Sequence, residues 1–171
     1  MDQLGFIHEK LDIKILILYV LRRLPGTVEA ETLRGLVMCD DGIGYFDYSD
    51  CLSELVNGGN VEEKDGGYAV TEKGARNADA VESSLPYSVR SRALRLLAPV
   101  EERLRRAAMI TARHTQDENG CTVELAMGDG KGEVIRLSLL CAGEDQARQI
   151  EKHFRRDAEG YYQKIVELLS E

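Results

Sequence analysis

Val61-Glu62-Glu63-Lys64-Asp65-Gly66-Gly67-Tyr68-Ala69-Val70 runs straight into Thr71-Glu72-Lys73-Gly74, and the reading of this stretch decides the fold. Asp65-Gly66 supplies two neighbouring residues that tolerate positive φ, which is what a two-residue turn between paired strands requires. The flanking runs therefore predict a β-hairpin. Thr71 reads as the cap of a helix that ends near Ser83-Ser84. Upstream, the spacing predicts three helices. The first runs from about Glu9 to Leu24 and is apolar on nearly every side (Leu11, Ile13, Ile15, Leu16, Ile17, Leu18, Val20, Leu21, Leu24), the mark of a central core helix or one shared between subunits. Pro25-Gly26 stops it. Thr27 is placed to cap the second, in which Ala30, Leu33, Leu36 and Val37 share a face. After the Asp40-Asp41-Gly42 turn the third begins between Gly44 and Tyr48, buries Tyr48, Leu52, Leu55 and Val56, and ends at Asn57-Gly58-Gly59.

Downstream of the hairpin helix, Pro86 suits the first residue of a fifth helix. It carries Tyr87, Leu94, Leu97, Val100 and Leu104, and Pro99 is expected to kink or break it. The chain then changes character. Ile110–Thr115, Cys121–Met127 and Val134–Cys141 alternate as strands, with Val123, Leu125 and Met127 on one face and Ile135, Leu137 and Leu139 on one face of the next. Asn119-Gly120 and Gly128-Asp129-Gly130 mark the turns of a three-stranded antiparallel meander. A terminal helix starts near Glu144, with Ala147, Ile150, Phe154, Ala158, Tyr161, Ile165 and Leu168 at three- and four-residue steps. Gly160 weakens its middle by about 1 kcal/mol relative to alanine. The fold class is therefore α+β, divided as a head (1–84), a connector helix (85–108) and a sheet-plus-helix part (109–171).

Three helices, a hairpin and a Thr-x-Lys-Gly helix start follow the order of a winged helix-turn-helix. The hairpin and exit, Val61 to Gly74, resemble those of MarR-like and PadR-like bacterial regulators. Three further stretches, Phe6-Ile7-His8-Glu9-Lys10-Leu11-Asp12-Ile13-Lys14, Cys39-Asp40-Asp41-Gly42-Ile43-Gly44-Tyr45-Phe46-Asp47 and Glu82-Ser83-Ser84-Leu85-Pro86-Tyr87-Ser88, resemble an uncharacterised family of bacterial winged-helix proteins, a domain of unknown function. The resemblance implies that Thr27–Met38 is a supporting helix, Tyr45–Asn57 a recognition helix and Asn60–Thr71 a wing. It also implies double-stranded DNA as partner and a homodimer assembled outside the head, with the helix from Glu144 to Ser170 as the candidate element. Packing of that helix on its own sheet accounts for the same apolar stripe.

Charge pulls against a DNA reader. The 171 residues hold 22 Lys and Arg against 30 Asp and Glu, a net charge of −8, so bulk attraction to phosphate or anionic lipid is excluded. Residues 1–60 carry 5 basic and 10 acidic side chains, 61–113 carry 10 and 8, and 114–171 carry 7 and 12. From Gly35 to Glu63 there is no Lys or Arg but seven acids, Asp40, Asp41, Asp47, Asp50, Glu54, Glu62 and Glu63. Several acids facing a groove without basic neighbours repel phosphate. The candidate contact residues are Tyr45, Ser49, Ser53 and Asn57 on the third helix, Lys64 at the hairpin tip, Lys73 behind it, and Arg92, Arg95, Arg103 and Arg106 along one side of the connector. That arginine stripe suits phosphate or an acidic partner; a solvated face paired with Glu102 or with acids of the other segments is the plainer reading. The rival to DNA binding is a non-enzymatic interaction or sensing module whose acidic head meets a basic protein surface.

Other chemistries lack their residues. Cys39, Cys51, Cys121 and Cys141 form no CxxC pair, and His8, His114 and His153 lie far apart, so no metal site is expected and the cysteines read as buried thiols in a reducing cytoplasm. Met1-Asp2-Gln3-Leu4-Gly5 has no basic n-region of an export signal. Ile13–Leu21 is too short for a bilayer span, which takes about 20 residues. Gly128-Asp129-Gly130-Lys131-Gly132 sits between strands without the helix start of a phosphate loop. Catalytic residues and cofactors are expected to be none.

Overall fold

The apolar run of the first helix becomes the centre of the N-terminal core. In the computed structural model, which describes residues 6–7, 9–118 and 120–170, α1 (Lys10–Arg23) buries Ile13 and every residue from Ile15 to Leu21. Burial of each such aliphatic side chain is worth about 1.5–3 kcal/mol, so this one helix supplies much of the drive to fold. It touches α2 (Ala30–Val37), α3 (Tyr45–Asn57) and α4 (Glu72–Val81). Met1–Gly5, His8 and the Asn119 half of the Asn119-Gly120 turn lie outside the described residues.

The hairpin forms as its sequence predicts. β2 (Val61–Lys64) and β3 (Gly67–Val70) pair antiparallel with Val61 opposite Val70. Asp65 and Gly66 take φ of 52° and 77°, the two left-handed residues of a tight turn. Thr71 caps α4 by accepting the Gly74 N–H at 3.1 Å, while its hydroxyl donates to the Gly59 carbonyl at 2.8 Å. Gly74 has a reason of its own: a Cβ there would stand 2.0 Å from the Asn60 carbonyl oxygen.

Thr27 does not cap α2. Val28 and Glu29 form a two-residue strand, β1, that pairs with β3 and completes a sheet of order β1-β3-β2. Glu29 then stands at the start of α2. After α4 come a 3-10 turn (Glu82–Ser84) and α5 (Tyr87–Ala108), which contains Pro99 without interruption. The expected break is absent because Pro99 sits on an exposed turn of the helix, where water can satisfy the carbonyl that loses its N–H partner.

The chain divides into two compact units, Met1–Leu104 and Arg105–Glu171. The second holds β4 (Ile110–Asp117), β5 (Gly120–Gly128), β6 (Glu133–Cys141) and α6 (Glu144–Ser170). Its sheet has the order β4-β5-β6, antiparallel throughout. Its core joins Ala112, Val123, Leu125, Ala147, Phe154 and Ala158. α6 is two helical segments. Asp157 leaves the helical region (φ −149°, ψ 50°) and its carboxylate accepts the Gly160 N–H at 3.2 Å, so the break falls on a new N-cap rather than on the glycine. Ala147 and Phe154 before the break and Ala158 just after it are buried, whereas Leu168 and Leu169 are 73% and 83% exposed. Tyr161 stacks on Phe154 with ring centroids 6.3 Å apart.

Candidate functional site

α3 sorts its side chains by chemistry around its axis. Tyr48, Cys51, Leu52 and Leu55 are buried. Tyr45, Phe46, Ser49, Ser53 and Asn57 are exposed, Phe46 to 82%. The three acids of the helix do not spread over that outer face. Lys10 Nζ lies 3.0 Å from an Asp50 oxygen and 3.9 Å from Asp47, and Lys14 Nζ lies 2.5 Å from Glu54. Asp50 beside it, bonded to the ammonium, holds the Lys10 pKa above its ordinary value. The acids thus line the flank of α3 that faces α1, and Tyr45, Ser49 and Ser53 form a neutral strip on the other flank. The matched i,i+4 spacing, Lys10 with Lys14 and Asp50 with Glu54, was the available sequence signal for this zipper.

Two of the candidate cations have jobs inside the molecule. Lys73 Nζ donates to the Gly58 carbonyl at 2.7 Å, closing the C-terminal end of α3. Arg92 Nη1 donates to the Cys39 carbonyl at 2.8 Å and reaches an Asp40 oxygen at 3.5 Å. Asp40 is 2% exposed, and its other carboxylate oxygen accepts the N–H groups of Phe6, Ile7 and Gly42. A residue that reads as part of a surface turn is therefore a buried clamp that fixes the loop leading into α3. Lys64, Arg95, Arg103 and Arg106 are exposed. Arg95 borders an open groove of about 470 Å³ with Tyr19, Tyr87, Leu94 and Arg90, whose Nε is buried without a hydrogen-bond partner. Arg34 stands over the Tyr45 ring at 5.9 Å.

The Tyr48 hydroxyl is also buried without a hydrogen-bond partner among the described residues, and burial pushes its pKa well above the ordinary value. Burial likewise raises the thiols of Cys39 and Cys51. In the second unit, His114 Nδ1 lies 2.7 Å from Glu151 and its Nε2 lies 3.8 Å from Glu144. Among the described residues no group of three or more His, Cys, Asp or Glu could hold a metal ion, and no helix is long and apolar enough to cross a membrane. Asp129 accepts the N–H groups of Lys131 and Gly132 at 2.8 and 3.0 Å. These bonds lower its carboxyl pKa and tie the glycine-rich segment into a turn between β5 and β6.

A family model described as Domain of unknown function (DUF4364) matches residues 13–169. No curated protein and no solved structure matches the chain. Because the match spans both compact units and most of the sequence, the chain belongs to this family of unknown function.

Proposed function

We propose that the chain is a winged helix-turn-helix protein, similar to MarR-like and PadR-like transcriptional regulators, that binds double-stranded DNA in the cytoplasm as a homodimer. The element order, three helices and a hairpin with β1 joined to β3, supports the head assignment. The observation that carries the DNA reading is the lysine zipper: Lys10 and Lys14 hold Asp47, Asp50 and Glu54 to the α1 side. What α3 then offers a groove is Tyr45, Ser49, Ser53 and Asn57, side chains that donate to and accept from base edges and phosphates. Lys64 at the hairpin tip and Arg95 and Arg103 on α5 are the cations for the backbone.

The test is binding of random-sequence duplex across a salt series. Each phosphate contact contributes a slope of about −0.9 in log K against log salt, and absence of binding at about 50 mM salt refutes the proposal. A second reading is supported by a different observation. Tyr45 and Phe46 form an exposed edge-to-face pair, centroids 5.7 Å apart, while Glu62 and Glu63 are exposed on β2. Aromatics among acids suit a basic protein surface, and such a partner would bind this face without any duplex.

A further inference from the structure

On the inner face of the C-terminal sheet the β5–β6 ladder stacks apolar pairs: Met127 opposite Ile135, Leu125 opposite Leu137 and Val123 opposite Leu139. The next rung on that face, in the same register, sets Cys121 opposite Cys141. Side chains two residues apart on a strand share a face, so both thiols point into the core that α6 covers. They are 2% and 8% exposed. Both are free thiols here, and strand register alone brings them together.

The rung is built to close. Residues directly opposite in antiparallel strands have Cα atoms about 4.5–5.5 Å apart, inside the roughly 4.4–6.8 Å that a disulfide spans. Their Cβ atoms stand about 4.5–5.5 Å apart, and a disulfide takes about 3.5–4.5 Å, so an approach of about 1 Å suffices. The register shift of this ladder falls at the other end, between Met127 and Gly128, and leaves the cysteine rung regular. The two sulfurs also sense each other: burial raises the Cys121 thiol most, and charge on Cys141, Glu144 and Glu151 raises it further. Cys39 and Cys51 have no such arrangement, since one lies in a turn of the first unit and the other on α3.

We propose that Cys121 and Cys141 are a redox pair, a dithiol that a peroxide converts into a disulfide tying β5 to β6 where β6 leads into α6. Cys141, the last residue of β6 and the more exposed of the two, meets the oxidant. Its thiolate attacks one peroxide oxygen and the O–O bond breaks. Hydroxide leaves, takes up the proton that Cys141 gave up and becomes water, and the sulfur is left as a sulfenic acid. The Cys121 sulfur then attacks that sulfur. The S–O bond breaks, the hydroxyl departs with the Cys121 proton as a second water, and the S–S bond forms. One hydrogen peroxide is reduced to two waters, and two thiols lose two electrons in all. A dithiol reductant reverses the bond by thiol–disulfide exchange.

Thiols that serve only as small apolar core residues would stay reduced, and peroxide would reach Cys39, the most exposed of the four, first. The test treats the full chain with millimolar hydrogen peroxide, blocks the remaining thiols with N-ethylmaleimide under denaturing conditions and maps the peptides by mass. The expected product is a Cys121–Cys141 cross-linked peptide, about 2 Da lighter than its two parts, that dithiothreitol splits. Cys121→Ser is expected to lose the bridge and leave Cys141 as a sulfenic acid that dimedone traps. Cys141→Ser is expected to lose the bridge and leave Cys121 reduced. Circular dichroism checks that both variants fold, and the wild-type map stands without them. A wild-type chain in which Cys121 and Cys141 stay reduced while Cys39 is oxidised overturns the proposal. So does a bridge from either cysteine to a different thiol or to another chain, or a Cys141→Ser chain in which Cys121 is oxidised as fast as Cys141 in wild type. No DNA enters the test, so its outcome is independent of the DNA-binding reading.

Discussion

Removal of the Asp40 carboxylate tests how the loop before α3 is held. In Asp40→Ala the N–H groups of Phe6, Ile7 and Gly42, at 3.0, 3.3 and 3.1 Å, lose their acceptor, and Arg92 loses one of its two partners. These losses are unequal. Phe6 is 56% exposed and the Arg92 side chain 39% exposed, so water can replace the carboxylate there; Ile7 is fully buried, and its N–H is left unsatisfied. An orphaned buried donor costs about 1–3 kcal/mol, and each partly wet bond about 0.5–1. The expected total is about 3 kcal/mol, or a fall in Tm of about 15 °C for a unit of this size. Asp40→Asn keeps one oxygen for the three N–H groups and should cost about 1 kcal/mol; Arg92→Ala leaves those bonds intact and should cost the same. With no Trp in the chain, urea unfolding is best followed by far-ultraviolet circular dichroism, with hydrogen exchange of α1 peptides to isolate the first unit. Asp40→Ala within 1 kcal/mol of wild type, or Arg92→Ala as damaging as Asp40→Ala, would refute the clamp.

Gly74→Ala drives a methyl into the Asn60 carbonyl, 2.0 Å away, and should destabilise the first unit by about 2–3 kcal/mol; a neutral result in urea titration would show that the α4 start can shift. Tyr48→Phe removes a buried hydroxyl without a partner and should raise stability by about 1 kcal/mol or more, whereas a loss would reveal a bond to that oxygen. Asp129 has a depressed folded pKa, so its stabilising effect is fully present above its ordinary value and is lost as pH falls through the lower folded value. Asp129→Asn should therefore lower stability at neutral pH, with the difference from wild type vanishing in strong acid; a difference that persists there would locate the effect elsewhere.

The hairpin, α1 and the strand faces were legible because each rests on a local rule: two left-handed residues, an unbroken apolar run, a period of two. What was hidden was not local. β1 is two residues long and exists because Val28 finds Tyr68 across the sheet, which no periodicity records. The break in α6 was written as Asp157-x-x-Gly160, an N-cap and the N–H it receives, but the helical repeat of apolar residues runs across it unchanged. Asp40 read as a turn former, since burial of a carboxylate depends on three N–H groups from two other places in the chain. The candidate contact residues were found by type and face. Which of them were already engaged, Lys73 on Gly58 and Arg92 on Cys39, depended on contacts 15 and 53 residues away.

The same distinction decides what the charge of −8 means for DNA. Half-exposed pairs such as Lys10–Asp50 add little stability, but they choose where the acids of α3 point. Lys10→Ala with Lys14→Ala should therefore leave the fold nearly as stable while freeing Asp47, Asp50 and Glu54 toward the groove side. Duplex affinity at low salt should fall about tenfold, since three acids brought within a Debye length, about 10 Å at 0.1 M, oppose phosphate. The salt slope should stay the same, because neither lysine touches the backbone on this reading. Lys64→Gln is the contrasting change: it removes a phosphate contact and should flatten the slope by about 0.9. If the Lys10 and Lys14 change flattens the slope instead, these residues bind phosphate directly and the zipper is incidental. If it leaves affinity untouched at every salt concentration, α3 does not face the duplex, and the exposed aromatics Tyr45 and Phe46 belong to a protein partner.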